Sequence, residues 1–256
     1  MPKFAANLSM MFNEHPFLDR FAAAAECGFT AVEYLFPYDH PAELVAEKLR
    51  DAGLAQALFN MPPGDWAAGE RGLAALTGRE ADFAAALETA IDYATVIGTP
   101  LLHMMAGNAP PDDAAAIAAY RANLRRAAER TGEAGIGLVI EPINGRDMPG
   151  YFLNDFQRAI DFIDELGAAH VKLQFDVYHR QILHGDVVMA LRRLASMIGH
   201  IQIASVPERH EPMSGELNDL RIFTEIDAIG YQGNVGCEYR PAAGTREGLG
   251  WLKASI

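Results

Sequence analysis

Four oxygen-bearing side chains, Glu141, Asp176, Gln202 and Glu238, close four short apolar runs and recur 35, 26 and 36 residues apart. The runs Ile136–Glu141, Val171–Asp176, His200–Ile203 and Asn234–Glu238 read as β-strands. Successive strand side chains point to opposite faces. Leu138 and Ile140 therefore oppose Glu141. Leu173 and Phe175 oppose Gln174 and Asp176, Ile201 and Ile203 oppose His200 and Gln202, and Val235 and Cys237 oppose Gly236 and Glu238. The apolar sets suit packing against helices, with Cys237 as buried filler. The other sets bring three carboxylates and one amide to one face at similar heights. Carboxylates converging in a partly dry mouth raise one another's pKa unless a cation lies among them. An all-oxygen donor set favours one divalent metal ion, Mg²⁺ or Mn²⁺, over zinc. Such an ion polarises a carbonyl and stabilises negative charge developing on oxygen.

A single acidic residue at a strand end is more often a helix cap or a surface group; four at matched phase are not so easily dismissed. Positioning them requires repeated strand–helix units. Earlier strands read as Lys3–Leu8, Ala31–Leu35, Leu54–Phe59 and Leu101–Met105. Helices read as Pro16–Cys27, Pro41–Ala52, Asp112–Ala134, Asn154–Leu166, Asp186–Ile198, Leu217–Ile229 and Thr245–Ala254, with Pro41 in a first turn, Asn154 as a cap, and Gly28 and Gly53 as stops. Alternation of this kind implies a parallel sheet, and eight units close into a (β/α)8 TIM barrel. Dividing 256 residues by eight gives 32 per unit, enough for a strand, a helix and two loops. The expectation is one barrel domain over 1–256 with its site at the C-terminal mouth. An open doubly wound sheet is the alternative, but no Gly-x-Gly-x-x-Gly follows the first strand. The segment Asn60–Arg79 reads as a lid-like loop with a short helix.

The first four strands add weaker candidates in similar positions, Asn7, Glu33, Asn60 and His103. They read as substrate contacts or as satisfied structural groups, with Asn7 and Asn60 leaning to structure. His15, His40, His170, His184 and His200 read as structural or unassigned. Trp66 either covers a substrate or pins the long loop, and Met10–Phe12 reads as wall packing.

Lys plus Arg number 21 against 34 Asp plus Glu, a net charge of −13, which argues against a nucleic-acid partner. Half the residues are hydrophobic, which excludes disorder of the whole chain. Two cysteines, Cys27 and Cys237, make no disulfide framework. Neither a signal peptide nor a spanning segment is evident, so a cytoplasmic location with no membrane partner is expected. A homo-oligomer is left open. No Walker loop, Ser–His–Asp motif or CxxC pattern competes with the strand-end site.

The runs EPIN (141–144), PGYFL (149–153), FDVYHRQ (175–181), QIASVPERHEP (202–212) and GCEYRP (236–241) resemble the hydroxypyruvate isomerase family of the xylose isomerase-like barrels. FPY (36–38) and HMMAG (103–107) also fit. The resemblance spans essentially the whole chain. It implies a barrel holding one divalent metal on Glu141, Asp176, Gln202 and Glu238. It also implies Glu141 and Glu238 as acid/base pair and His179, Arg209, His103 and Asp147 as substrate contacts, Asp147 the weakest. The implied reaction interconverts hydroxypyruvate and tartronate semialdehyde; the alternatives are 2-oxo-tetronate isomerisation and ketose 3-epimerisation. Related epimerases usually carry histidine where this chain has Gln202, which favours the isomerase group. The planar fork of Arg209 suits a substrate carboxylate, the competing reading being a surface ion pair with Glu208 or Glu211.

Overall fold

The computed structural model describes residues 1–254. In chain order the elements are β1 (Lys3–Asn7), a 3-10 turn (Phe17–Asp19) running into α1 (Arg20–Glu26), β2 (Ala31–Tyr34), α2 (Ala42–Ala52), β3 (Ala55–Asn60), α3 (Glu80–Ile97), β4 (Leu101–His103), α4 (Ala114–Glu133), β5 (Gly137–Ile140), α5 (Phe156–Leu166), β6 (Val171–Asp176), α6 (Val177–Leu183), α7 (Val187–Leu194), β7 (Ile198–Ile203), α8 (Asp219–Ala228), β8 (Asn234–Cys237), α9 (Thr245–Gly248) and α10 (Gly250–Ala254). The strands follow one another β1 to β8 in the sheet, which closes into a parallel barrel. Among the described residues no helix is long and apolar enough to cross a membrane.

Contacts divide the chain into two compact units, Met1–Ala57 with Phe175–Ile256, and Leu58–Gln174. In the first, β1 pairs with β2 (Asn7 opposite Glu33) and with β8 (Ala5 opposite Gly236), and β7 pairs with β8 (Gln202 opposite Gly236). The small side chains Ala5, Ala31 and Ala57 form a buried cluster at the starts of their strands or midway along them. An aromatic group closes the outer layer: Phe4 meets the edges of Phe223 and Trp251, both at 5.1 Å between centroids, and Trp251 donates to the Tyr239 hydroxyl. In the second unit β3, β4 and β5 pair in order, with Asn60 opposite His103 and His103 opposite Val139, and β5 pairs with the start of β6. Tyr120, Phe152 and Phe162 pack together there.

Several sequence expectations need correction. Leu8, Leu35, Met105, Glu141 and Glu238 fall one or two residues past their strand ends, so two of the candidate carboxylates are the first loop residues after β5 and β8. Helix α3 was not read. Its alanines blur the polar–apolar contrast, and its buried face interleaves Ala86, Ala90 and Ala94 with Phe83, Leu87, Ile91 and Tyr93. The segment 60–79 forms turns and a single bridge, Gly72 to Ala106, instead of a short helix. Arg71 lies over the Trp66 ring at 3.8 Å, and Gly72 (φ +112°) lies so close to the Met105 carbonyl that a Cβ would clash with it.

The α5 cap is Asp155, one residue past the expected Asn154; its Oδ1 accepts the Arg158 N–H at 2.8 Å. Asp155→Ala should cost about 1 kcal/mol in urea unfolding, with Asp155→Asn recovering most of the loss.

Candidate active site

In the first unit the strand register gathers a buried polar network at the C-terminal ends of β1, β2, β6, β7 and β8. Glu33 is fully buried and its carboxylate accepts three hydrogen bonds. Asn7 Nδ2 (2.9 Å) and Gln202 Nε2 (2.8 Å) donate to Oε1, and His200 Nε2 (2.6 Å) donates to Oε2. The carboxylate fits because residue 236 is glycine; a Cβ there would run into it.

Asp176 caps α6, its Oδ1 accepting the Tyr178 N–H at 2.7 Å. That bond leaves Oδ2 facing 3.6 Å contacts with His179 Nε2 and Arg209 Nη2, where it accepts no hydrogen bond from the described residues. His179 follows on the first turn of α6 and is buried. Arg209 takes a left-handed backbone (φ +59°), and its N–H bonds the Ser205 carbonyl while its own carbonyl receives the Arg240 N–H. The loop after β7 is thereby tied to the end of β8. The guanidinium lies over the Tyr178 ring at 4.8 Å, donating from Nη2 to Glu238 Oε2 (3.0 Å) and from Nε to the Glu238 carbonyl (3.3 Å). Arg209 is thus a buried partner of site carboxylates, not a surface ion pair. Burial pushes the carboxyl groups of Asp176 and Glu238 up, to about 6 and about 8; Arg209 opposes both shifts, and the Asp176 charge adds to that of Glu238.

In the second unit His103 Nδ1 donates to Asn60 Oδ1 (3.2 Å), and its Nε2 lies 3.7 Å from Glu141 Oε2. Both His103 and Glu141 are buried. The buried Tyr151 hydroxyl accepts the Ala106 N–H at 2.8 Å, and burial, with the Glu141 charge adding, raises its pKa. Asn144 Oδ1 accepts the N–H groups of Arg146 and Asp147, forming a turn on which Asp147 is exposed.

Sequence reasoning left His200 unassigned and ranked Glu33 low. The available signals were the shared face of His200 and Gln202 and a glutamate inside the apolar β2.

The sequence profile described as xylose isomerase-like TIM barrel matches residues 21–255. The chain is 59% identical over 255 residues to the 2-oxo-tetronate isomerase of Cupriavidus necator, covering 99% of this chain and 98% of that protein. It is 42% identical to the hydroxypyruvate isomerase of Escherichia coli, with 98% of each covered. The chain belongs to the hydroxypyruvate isomerase/2-oxo-tetronate isomerase family. A crystal structure of AP endonuclease, family 2, from Brucella melitensis is 46% identical, covers 99% of each chain and superposes with a TM-score of 0.97. Glu141, Asp176 and His179 are each buried, and each carries a donor atom of a kind that divalent cations take.

The raised carboxyls set a sign for pH. Each favours its protonated form in the folded chain, so its contribution to stability is present below the ordinary carboxylate range. That contribution is lost as pH rises towards about 8. In chelator-treated protein, Glu238→Gln should therefore gain stability over wild type as pH climbs from 5 to 8.5, read as a widening gap in urea midpoints. A constant gap would show that Glu238 titrates normally.

Proposed function

We propose that the protein isomerises a 2-oxo-tetronate, moving the carbonyl from C2 to C3 of a four-carbon sugar acid. The observation that carries this reading is the 59% identity, over nearly the full length of both chains, to a 2-oxo-tetronate isomerase. The sequence reading put hydroxypyruvate first; that substrate differs by lacking the hydroxymethyl group on C3 and is the second reading, supported by the 42% identical relative.

The proposed metal ligands are Glu141, Asp176, Gln202 and Glu238, holding one Mg²⁺ or Mn²⁺. When bound, the cation would polarise the substrate carbonyl and lower the acidity barrier at the neighbouring carbon. Glu141 and Glu238 are the proposed acid/base pair. One removes the proton from C3, giving an enediolate across C2 and C3; a proton is returned to C2, and the O3 hydroxyl proton passes to O2 as C3 becomes the carbonyl and C2 the alcohol carbon. Arg209, with its planar fork, and His179 are the proposed contacts to the substrate carboxylate, and His103 is proposed to contact a substrate hydroxyl. Asp147, exposed on its turn, is proposed only as an outer contact. The net charge of −13 weighs against action on nucleic acid, the activity named for the Brucella melitensis protein.

Turnover of 2-oxo-tetronates and of hydroxypyruvate, measured with chelator and after adding back Mg²⁺ or Mn²⁺, tests the reading. The four-carbon acid should give the higher kcat/KM and chelator should abolish it; a preference for hydroxypyruvate would exchange the two readings. Glu141→Gln and Glu238→Gln should each lower kcat by about 10²–10⁴-fold in folded protein. Full activity in either removes that residue from the acid/base pair.

A further inference from the structure

The fully buried Glu33 belongs to no step of the proposed reaction, yet three side chains from two strands, β1 and β7, converge on it. A buried polar arrangement this complete is costly to leave half-made. The informative partner is Gln202. A primary amide has one face that donates and one that accepts, and the two are nearly alike in shape. Rotating it by half a turn would set its oxygen against the Glu33 carboxylate, two acceptors with no proton between them. The bond from Gln202 Nε2 to Glu33 Oε1 therefore fixes the amide with its NH₂ towards β2 and its carbonyl oxygen away from Glu33.

The rest of the network holds Glu33 in place for that task. His200, two residues before Gln202 on the same strand face, takes Oε2 and leaves Oε1 for the amide. Asn7 shares Oε1, and its own Oδ1 accepts the Ser9 N–H, which sets the Asn7 amide in turn. Gly236, opposite both Ala5 and Gln202 in the ladder, leaves the volume that the carboxylate fills.

We propose that Glu33 is a positioning residue that orients the Gln202 amide so that its oxygen, not its NH₂, is the group offered to the divalent cation. This rests on the reading of Gln202 as a metal ligand. Glutamine is otherwise an ambiguous ligand, since half of its orientations present a donor that repels a cation. A histidine at this position would solve the same problem differently, giving one ring N–H to Glu33 and keeping one bare nitrogen for the metal.

The test measures Mn²⁺ affinity of chelator-treated protein by electron paramagnetic resonance of free and bound ion, with near-UV circular dichroism as the folding control. Four proteins form a cycle: wild type, Glu33→Gln, Gln202→Leu and the double variant. Glu33→Gln should weaken Mn²⁺ binding by about 10–100-fold. In the Gln202→Leu background the same change should cost less than about threefold, because the amide it acts through is gone. Unchanged affinity in Glu33→Gln, or an equal penalty in both backgrounds, overturns the proposal. Should Glu33→Gln fail to fold, Gln202→His decides. It should bind Mn²⁺ within about tenfold of wild type, and binding as weak as that of Gln202→Leu overturns the proposal. Wild type that binds no Mn²⁺ would overturn the metal reading itself, and this proposal with it. Wild-type binding with an indifferent Glu33 overturns this proposal alone.

Discussion

A carboxylate taken out of water must find compensation, and in the first unit Glu33, Asp176 and Glu238 are buried near the C-terminal ends of β2, β6 and β8. They are compensated in two ways. Glu33 is saturated by donors from Asn7, His200 and Gln202. Asp176 and Glu238 instead share one cation, the Arg209 guanidinium, at 3.6 and 3.0 Å. Burial raises the pKa values of both, and the one guanidinium they share offsets this only in part. The first arrangement is closed; the second retains a demand for positive charge at the point where a divalent ion would serve catalysis.

The backbone makes this arrangement possible. Parallel strands are buried on both faces, so polar strand residues are sheltered from solvent unless a loop or a ligand reaches them. The ladder puts Asn7 beside Glu33 and Gln202 beside Gly236, and the missing side chain at Gly236 lets the Glu33 carboxylate reach across. The loop after β7 supplies Arg209 from a left-handed backbone position, held by the carbonyl of Ser205 and the N–H of Arg240. Scaffold and site are therefore one hydrogen-bonded system in this unit: a change at Gly236 or Asn7 would be felt at Gln202 through Glu33.

The repeat of strand and helix was legible because hydrophobic periodicity is local, and so was the shared inward phase of Gln174 with Asp176 and of His200 with Gln202, which follows from counting by twos. The Glu33 network was not, because it depends on which residues stand opposite one another on β1, β2, β7 and β8, and the sequence does not print that register. Helix α3 escaped because alanine serves both a buried and an exposed helix face. For Arg209 the sequence left a surface ion pair with Glu208 or Glu211 as the competing reading; the folded loop, with Arg209 at a left-handed position, brings it to Glu238 instead. The difference between a three-carbon and a four-carbon acid is one hydroxymethyl group, too small for the motifs shared by both kinds of isomerase to encode.

The claim on which the account stands is that the buried carboxylates and the oriented amide hold one divalent cation. Anomalous scattering from crystals of the chain soaked in Mn²⁺ tests it directly. The account predicts a single peak per chain, with Glu141, Asp176, Gln202 and Glu238 as its protein ligands and the Gln202 oxygen turned towards it. A map with no peak at these residues, or a peak that Gln202 does not ligate, would contradict it.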